Sequence, residues 1–445
     1  MHEGLTRLAT ASTTEAQGTG HASHGLRASR HEAFHTVMTR PLRRGRVSDQ
    51  DSLPMTPYRF LLAFASAAAS SAIAIAFLYG YAEHLGLVDR PNERKKHVGN
   101  IPVIGGVCVF LGVITGAFVA GQFHLFGNYV LVTAAVLALI GALDDRMDLS
   151  VRARLLVQSV AVLTVIVCTG VHIHTLGHLF GVEMELGLLG IPLTLIAVIG
   201  LLNAFNMMDG IDGLAGMLAL VSVGTIAVYQ GSSPWPDLSL PLLLAAALLP
   251  YLAVNLGLIG KKIFLGDAGS MVVGYLLAWT LIKLSQDAPT HLSTIDVLWC
   301  VALPVLDTLA VMIRRIREGK SPFKPDRGHI HHLMLNAGLT PRASLVVLVT
   351  FAIALAYLGT FTRTFTAGSN LLAFGALALI YIAAHRRVWL KQQLGQGVPG
   401  VVPGVVPVPM SASAPFIFIE RRTARSSSQM AHAYQRRRSD LQRVA

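Results

Sequence analysis

Long runs of apolar residues separated by short polar loops dominate the chain between residues 58 and 385. About eleven of these runs are long enough, or nearly so, to cross the ~30 Å hydrocarbon core of a bilayer. They cover residues 58–82, 101–121, 129–143, 153–171, 186–204, 213–230, 239–259, 268–285, 293–313, 343–361 and 368–385. The pattern predicts an all-α integral membrane protein, with softer boundaries for the third and fifth segments.

Basic residues divide unequally between the loops on the two sides of these segments. The loops 83–100, 144–154, 260–267 and 314–342 together contain sixteen Lys and Arg residues, whereas the opposite loops contain only Arg363. Cytoplasmic loops of membrane proteins carry an excess of Lys and Arg. The first set is therefore predicted to face the cytoplasm.

The composition is typical of a membrane protein, and two tails fall outside the predicted membrane domain. Hydrophobic residues make up 53% of the chain and charged residues only 13%, about half the charged fraction of soluble proteins. Residues 58–390 are predicted to form the membrane domain. Residues 1–57 are predicted to be a disordered extension or an over-extended reading frame, and residues 391–445 a Pro/Gly/Val linker followed by a basic disordered tail. This tail is expected to be attracted to anionic lipid, with partner docking as the alternative.

Charge and cysteine usage argue against a nucleic-acid partner and against a disulfide or cysteine metal site. The net charge of +12 comes from the tails and the cytoplasmic loops, so we expect no nucleic-acid partner. The three cysteines lie in apolar segments without paired spacing, which indicates packing residues that form neither a disulfide nor a metal site. They are Cys108, Cys168 and Cys300.

A cluster of aspartates ends the third apolar segment, in the sequence GALDDRMD. Asp144 and Asp148 are four residues apart and would share one face of a helix, with Asp145 beside them. Like charges this close repel one another unless a cation or a shared proton relieves them. The cluster indicates a metal-diphosphate site, and the alternative is a solvated turn with Arg146 as partner.

A second polar cluster follows the fifth segment, in the sequence NAFNMMDGIDG. Its amides and carboxylates recur every three residues, at Asn203, Asn206, Asp209 and Asp212. On a straight α-helix such a row drifts by about 60° per step. The four residues would line one cleft only if the turn tightens to three residues or the chain opens into a loop. Helix capping explains one or two of them, but not four.

Two more motifs lie on the same predicted side. In FLGDAGS, Asp267 stands at the start of the eighth segment, where a helix N-terminus favours an anion and where Asp is also a good N-cap. The sequence SPFKPDRGHIHH supplies Lys324, Arg327, His329, His331 and His332. This loop suits the binding of a diphosphate. A zinc site lacks a fourth ligand, and an ordinary solvated loop is the other alternative.

Two weaker signals accompany these motifs. Lys96 or His97, in the basic loop before a Gly-Gly helix start, is positioned in sequence to reach a phosphate. Asp307 lies inside the ninth apolar segment. A carboxylate within a membrane segment is a candidate functional residue, although a buried partner for a histidine or arginine explains it equally well.

The motifs DDRMD, NAFNMMDGIDGLAG, FLGDAGS and SPFKPDRGHIHH occur in that order. Over roughly residues 58–390 the chain resembles the polyprenyl-phosphate N-acetylhexosamine-1-phosphate transferases, of glycosyltransferase 4 type. The resemblance implies transfer of a sugar 1-phosphate from a UDP-sugar to undecaprenyl phosphate, with release of UMP. It also implies Mg²⁺ or Mn²⁺ and a site on the cytoplasmic face of the bacterial inner membrane. The histidine loop resembles the N-acetylglucosamine branch, so UDP-GlcNAc is the expected donor and a surface glycan such as O antigen the expected product pathway.

The resemblance also implies roles for individual residues. The expected catalytic residues are Asp144, Asp145 and Asp267, with Asp267 and Asp145 as metal ligands. The expected substrate-binding residues are Asn203, Asn206, Asp209, Asp212, Lys96, Lys324, Arg327, His329, His331 and His332. One aspartate, Asp144 by preference, would take the proton of the lipid phosphate, and a covalent phosphosugar-aspartate is the alternative.

Other functions stay open at this point. The same reaction with another UDP-N-acetylamino sugar, including the peptidoglycan precursor UDP-MurNAc-pentapeptide, is the first alternative. A cation- or proton-coupled transporter would place its carboxylates near the middle of the bilayer and often shows internal repeats. Here six of the seven aspartates lie at one edge and no repeat is evident. An inactive scaffold is disfavoured because every motif position is filled.

Overall fold

The computed structural model describes residues 56–89, 99–121, 125–231, 235–286, 292–322 and 326–395. The predicted N-terminal extension, apart from Thr56 and Pro57, and the C-terminal tail beyond residue 395 lie outside the described residues. So do two of the expected substrate-binding residues, Lys96 and Lys324. Residues 391–395 belong to a second unit of the chain, and the fold described below is that of the first unit.

Thirteen α-helices form in the described residues. They are α1 (Pro57–Leu85), α2 (Gly105–Ala120), α3 (Leu125–Met147), α4 (Val151–Thr169), α5 (Gly190–Met208), α6 (Leu214–Gln230), α7 (Trp235–Asn255), α8 (Gly266–Gln286), α9 (Asp296–Cys300), α10 (Ala302–Arg317), α11 (Ile330–Asn336), α12 (Pro341–Thr362) and α13 (Ala367–Gly395). Every predicted apolar segment overlaps at least one of them.

Seven of these helices are long and apolar enough to cross a membrane, namely α1, α3, α4, α5, α8, α12 and α13. Helices α2 and α6 and the apolar part of α7 are shorter. The structure thus confirms the all-α, multi-pass membrane class. The number of eleven crossings and the side on which the motifs lie stay predictions.

The ninth apolar segment contains two helices rather than one. Helix α9 ends at Cys300 and α10 begins at Ala302, with Val301 between them in a non-helical conformation. Pro304 falls in the first turn of α10. The N–H groups of a first turn have no partner within the helix, so the N–H that proline lacks costs no helical hydrogen bond. Asp307 is one turn further on, fully buried in α10.

Two small antiparallel sheets were not predicted, and all their strands lie in predicted loops except β2, which falls at the start of the predicted apolar segment 101–121. Strands β1 (Val88–Asp89) and β2 (Ile101–Pro102) pair with each other, and β3 (Thr175–Leu179) pairs with β4 (Val182–Glu185). The β3–β4 hairpin is tied to the end of α8, because the side-chain oxygen of Gln286 accepts hydrogen bonds from the backbone of His174 and Thr175 at 2.9 and 3.1 Å.

Helix α8 is the centre of the bundle. Its most apolar stretch is 94% buried, and it contacts α2, α3, α5, α6 and α7. Close approach depends on glycine: a Cβ added at Gly106 of α2 or Gly141 of α3 would overlap the backbone of α8 at Gly269 or Ala268. The central position of α8 places the FLGDAGS motif among the ends of several helices.

Candidate active site

A short extended segment fixes the start of α8. Phe264 accepts a hydrogen bond from the backbone N–H of Gly105 at 3.0 Å and donates its own N–H to Pro102 at 2.8 Å. Gly106 likewise donates to Leu265 at 2.9 Å. The residues before Asp267 therefore run beside the start of α2, which sets the position of the α8 N-terminus.

Carboxylates from two other elements contact this N-terminus. Asp145, at the end of α3, accepts hydrogen bonds from the backbone N–H of Asp267 at 2.9 Å and of Ala268 at 3.4 Å. The Asp209 carboxyl accepts a hydrogen bond from the backbone of Gly266. Gly266 itself has a φ of 73°, and an added Cβ there would overlap the Asp145 carboxylate. Free N–H groups at a helix start stabilise negative charge, so this end of α8 holds the carboxylates together.

Arg154 of α4 joins two further aspartates of the group, Asp144 and Asp267. Its Nη1 lies 2.8 Å from Asp144 Oδ2 and 3.2 Å from Asp267 Oδ2. Asp144 is 5% exposed and also accepts a hydrogen bond from the backbone of Leu149 at 2.7 Å. In the sequence, Arg154 is only one of the basic residues of the predicted loop 144–154. Nothing in the local sequence distinguishes it from Arg152, since the contact depends on how α4 packs against α3.

The expectation that Asp148 shares a helix face with Asp144 is wrong. Helix α3 ends at Met147, and Asp148 has a φ of 53°, in the left-handed region. Its backbone N–H still bonds to the carbonyl of Asp144 at 2.9 Å, but the chain then turns into α4. Asp148 therefore marks the end of the helix.

The Asn/Asp motif straddles the end of α5. Asn203 and Asn206 lie on the helix, which stops at Met208. Asn203 donates to the side-chain oxygen of Gln158 at 3.1 Å, and Asn206 accepts from the Ser270 hydroxyl at 3.3 Å. The chain then opens into a turn, the second of the two geometries considered from the sequence, and the amides connect α5 to α4 and α8.

Asp209 and Asp212 lie in the turn after α5. Asp212 forms an ion pair with Lys262 at 2.7 Å. The pKa of Asp209 is raised well above its ordinary value, first by burial and then by the negative charges of Asp267, Asp145 and Asp212. The structure thus gathers five aspartates of three motifs around the start of α8.

Asp326 organises the loop before the histidines. Its carboxylate contacts the guanidinium groups of both Arg314 and Arg315 and accepts the backbone N–H of Gly328 at 2.6 Å. Although burial opposes ionisation, the hydrogen bond from Arg315 and the charge of Arg314 hold the pKa of Asp326 below its ordinary value. Arg327 beside it is exposed.

The three histidines have different surroundings. His329 is 4% exposed, and its Nδ1 lies 2.7 Å from the carboxylate of Asp307. His331 is buried, and neither of its ring nitrogens has a hydrogen-bond partner among the described residues. Burial, helped by the neighbouring charge of His332, lowers the pKa of His331 to about 3, so this ring is neutral. A Cβ added at Gly210 would overlap it, which shows that the histidine loop touches the Asn/Asp turn.

A cavity of about 340 Å³ opens between α4, α5 and α10. Its wall is mainly apolar and includes Leu155, Leu195, Ile196, Ile199, Val311 and Met312. Its polar lining includes Arg154, Asn203, Asp326 and His329. Since Arg154 also contacts Asp144 and Asp267, the cavity adjoins the carboxylate cluster.

The donor set at the start of α8 suits a hard divalent cation. No group of three or more His, Cys, Asp or Glu side chains is arranged as a ready-made metal site in the described segments. Mg²⁺, however, is commonly bound by one or two carboxylates while water and substrate phosphates complete its octahedral shell. Asp144 and Asp267 meet at a single nitrogen of Arg154, and Asp145 is adjacent, so carboxylate oxygens are available for such binding.

Comparison with known proteins decides the family. The model of glycosyl transferase family 4 matches residues 128–285. A Yersinia pestis protein named undecaprenyl-phosphate alpha-N-acetylglucosaminyl 1-phosphate transferase is 40% identical over 68% of this chain and 86% of its own length. The chain belongs to glycosyl transferase family 4. Proteins of the same name are 37% identical in Pasteurella multocida, over 71% of this chain and 91% of theirs, and 40% identical in Escherichia coli K12, over 62% and 77%.

Membership confirms the resemblance found in the sequence. The protein is accordingly a polyprenyl-phosphate sugar-1-phosphate transferase of the membrane. Both the aspartate pair of α3 and the FLGDAGS motif of α8 fall within the matched residues 128–285. The histidine loop and α13 follow that range.

Proposed function

We propose that this protein transfers N-acetylglucosamine 1-phosphate from UDP-GlcNAc to undecaprenyl phosphate. The products are UMP and undecaprenyl-diphosphate-GlcNAc. The observation that carries this proposal is the cluster of five aspartates around the start of α8, in contact with the histidine loop through Gly210 and His331. The names of the relatives support the choice of sugar and lipid.

The carboxylate cluster is the proposed site for the diphosphate of the donor. The aspartate carboxylates and the diphosphate are both negatively charged, so they would repel each other without a cation. Mg²⁺ or Mn²⁺ would neutralise the phosphate oxygens and align them. Asp267 and Asp145 would hold this cation, with the Asp144 carboxylate beside them. The Asn/Asp turn would face the uridine end, where Lys262 lies 2.7 Å from Asp212.

The cavity between α4, α5 and α10 is the proposed site of the lipid acceptor. Its apolar wall suits a prenyl chain, and Arg154 and His329 at its polar lining suit a phosphate. In direct attack, an oxygen of the lipid phosphate bonds to the β-phosphorus of the donor, the bond from that phosphorus to the bridging oxygen breaks, and UMP leaves. Asp144 takes the proton when the lipid phosphate is protonated. A sugar-phosphate trapped on the enzyme without acceptor would instead establish a covalent intermediate.

We place the site at the cytoplasmic face of the bacterial inner membrane. The support is the distribution of basic residues, with sixteen on the motif side and one on the other. UDP-sugars are made in the cytoplasm, which agrees with this orientation. The lipid-linked sugar would be the first intermediate of a surface glycan such as O antigen.

The test is UMP release by the purified protein with undecaprenyl phosphate and a panel of UDP-sugars. We expect turnover with UDP-GlcNAc, no turnover after chelation with EDTA, and recovery on addition of Mg²⁺ or Mn²⁺. Faster turnover of UDP-MurNAc-pentapeptide would move the protein to the peptidoglycan branch. Absence of UMP release with every donor would overturn the proposal.

A further inference from the structure

Asp307 is a fully buried carboxylate in the middle of α10, with three hydrogen bonds. Its Oδ2 bonds to Nδ1 of His329 at 2.7 Å, and its Oδ1 accepts the backbone N–H of Ile330 at 2.9 Å and the hydroxyl of Tyr381 at 3.0 Å. A carboxylate within an apolar helix costs several kcal/mol unless it is paired. Its partners lie mainly on the histidine loop, so Asp307 connects that loop to the membrane bundle.

One face of α13, the last helix of the described residues, contacts the same loop. Tyr381, His385 and Trp389 recur every four residues and therefore share a face. Nε2 of His385 lies 2.7 Å from the carbonyl oxygen of Gly328, and the indole of Trp389 lies 4.0 Å from the guanidinium of Arg314. Both Tyr381 and His385 are buried. Helix α13 thus contacts Asp307 and Arg314 of α10 and the loop itself at Gly328.

These contacts orient the ring of His329. A carboxylate only accepts hydrogen bonds, so Nδ1 of His329 must carry the proton that it shares with Asp307. Only Nε2 is then left for a substrate. Because His329 lines the cavity together with Arg154 and Asn203, Nε2 is the ring atom that can serve a phosphate there.

We propose that Asp307, Tyr381 and His385 are positioning residues for the transfer reaction. They hold His329 and the backbone at Gly328 so that Nε2 of His329, when the ring carries a proton on both nitrogens, donates a hydrogen bond to a phosphate oxygen of the substrate. This inference rests on the proposed function. It assigns to α13, which follows the family-matched residues, a role in the geometry of the site.

The test compares kinetic constants for single and double variants in the full-length protein. Tyr381→Phe removes one hydroxyl without changing the size of the ring, and should lower kcat about three- to tenfold with little change in the KM for UDP-GlcNAc. His385→Ala should have a similar effect. His385→Gln, whose amide can still donate to Gly328, should restore kcat to within about twofold of the wild type.

A double-variant cycle separates positioning from general stability. His329→Ala should itself lower kcat about tenfold or more. Adding Tyr381→Phe to it should change kcat no further, because the residue being positioned is gone. The matched control is Tyr229→Phe, which removes a buried hydroxyl bonded to Ala356 at 3.2 Å in a different helix pair and should leave kcat unchanged.

Three results would overturn the inference. They are a wild-type kcat for Tyr381→Phe, losses that multiply fully in the double variant, and no recovery in His385→Gln. Each is measured against UMP release by the wild-type protein. A wild-type protein without that activity would refute the proposed function instead, so the two failures are distinct.

Discussion

Asp145 accepts a hydrogen bond from the backbone N–H of Asp267 at 2.9 Å, across a separation of 122 residues. The bond joins the end of α3 to the start of α8. The two aspartates of the pair therefore have different partners, because Asp145 binds the helix N-terminus while Asp144 contacts Arg154. The side chain of Asp267, which also contacts Arg154, is thereby placed beside two other carboxylates.

Asp267→Asn should leave the protein folded and remove nearly all transfer activity. The amide keeps the shape of the side chain but loses one charge from the proposed cation site, which we expect to lower kcat at least a hundredfold, about 3 kcal/mol. UMP release at saturating Mg²⁺ measures the effect. Glu185→Gln, at an exposed position of β4, is the control and should retain wild-type rates. A Asp267→Asn variant with near-normal rates would remove this residue from the site.

Arg154→Met should make thermal stability depend more strongly on Mg²⁺. The guanidinium balances Asp144 and Asp267, so its loss leaves two carboxylates in mutual repulsion that a bound cation would relieve. We expect a lower Tm in EDTA and a larger increase on adding Mg²⁺ than in the wild type.

Arg363→Met is the matched control for that experiment. Arg363 pairs with Asp296 at 3.2 Å and stacks on Tyr229, away from the aspartate cluster. This variant should lose stability without any added response to Mg²⁺. Equal Mg²⁺ responses in the two variants would argue against cation binding beside Arg154.

Asp209→Asn should stabilise the metal-free protein at alkaline pH. Burial and the charges of Asp267 and Asp145 raise the pKa of Asp209, so the folded state resists its ionisation. The stability associated with the protonated form is complete below the ordinary carboxyl pKa and is lost as pH rises through the raised pKa. In EDTA, the variant should exceed the wild type in Tm at about pH 8 and match it near pH 4. A gain that is the same at both pH values would contradict this account of Asp209.

Gly106→Ala should destabilise the contact between α2 and α8. The added methyl group would overlap the backbone at Gly269, and overpacking of this kind costs about 1–3 kcal/mol. We expect a lower Tm together with a loss of activity, because the start of α8 must shift. Gly224→Ala in α6 has open space around the new methyl group and should be tolerated. Equal stability of the Gly106→Ala and Gly224→Ala variants would show that α2 and α8 are not tightly packed at Gly106 in solution.

The fold class and the presence of several motifs in one site were predictable, because both depend on patterns within short stretches of the sequence. Apolar length predicted the helices, and aspartates at helix ends predicted a shared site. The roles of Arg154, Tyr381 and His385 were not predictable, since each depends on which helices become neighbours. The position of Asp148 depends on where α3 ends, and helix ends are poorly determined by sequence. The β3–β4 hairpin was missed because its short strands depend on Gln286 of α8.

The most direct test of the central claim follows the β-phosphate of the donor. UDP-GlcNAc labelled with ³²P at the β-phosphate is incubated with the purified protein, undecaprenyl phosphate and Mg²⁺, and the lipid and aqueous phases are separated. Transfer of a sugar 1-phosphate predicts that the label enters the lipid while unlabelled UMP is released. Transfer of the sugar alone would leave the label in UDP, in the aqueous phase, and would contradict the account.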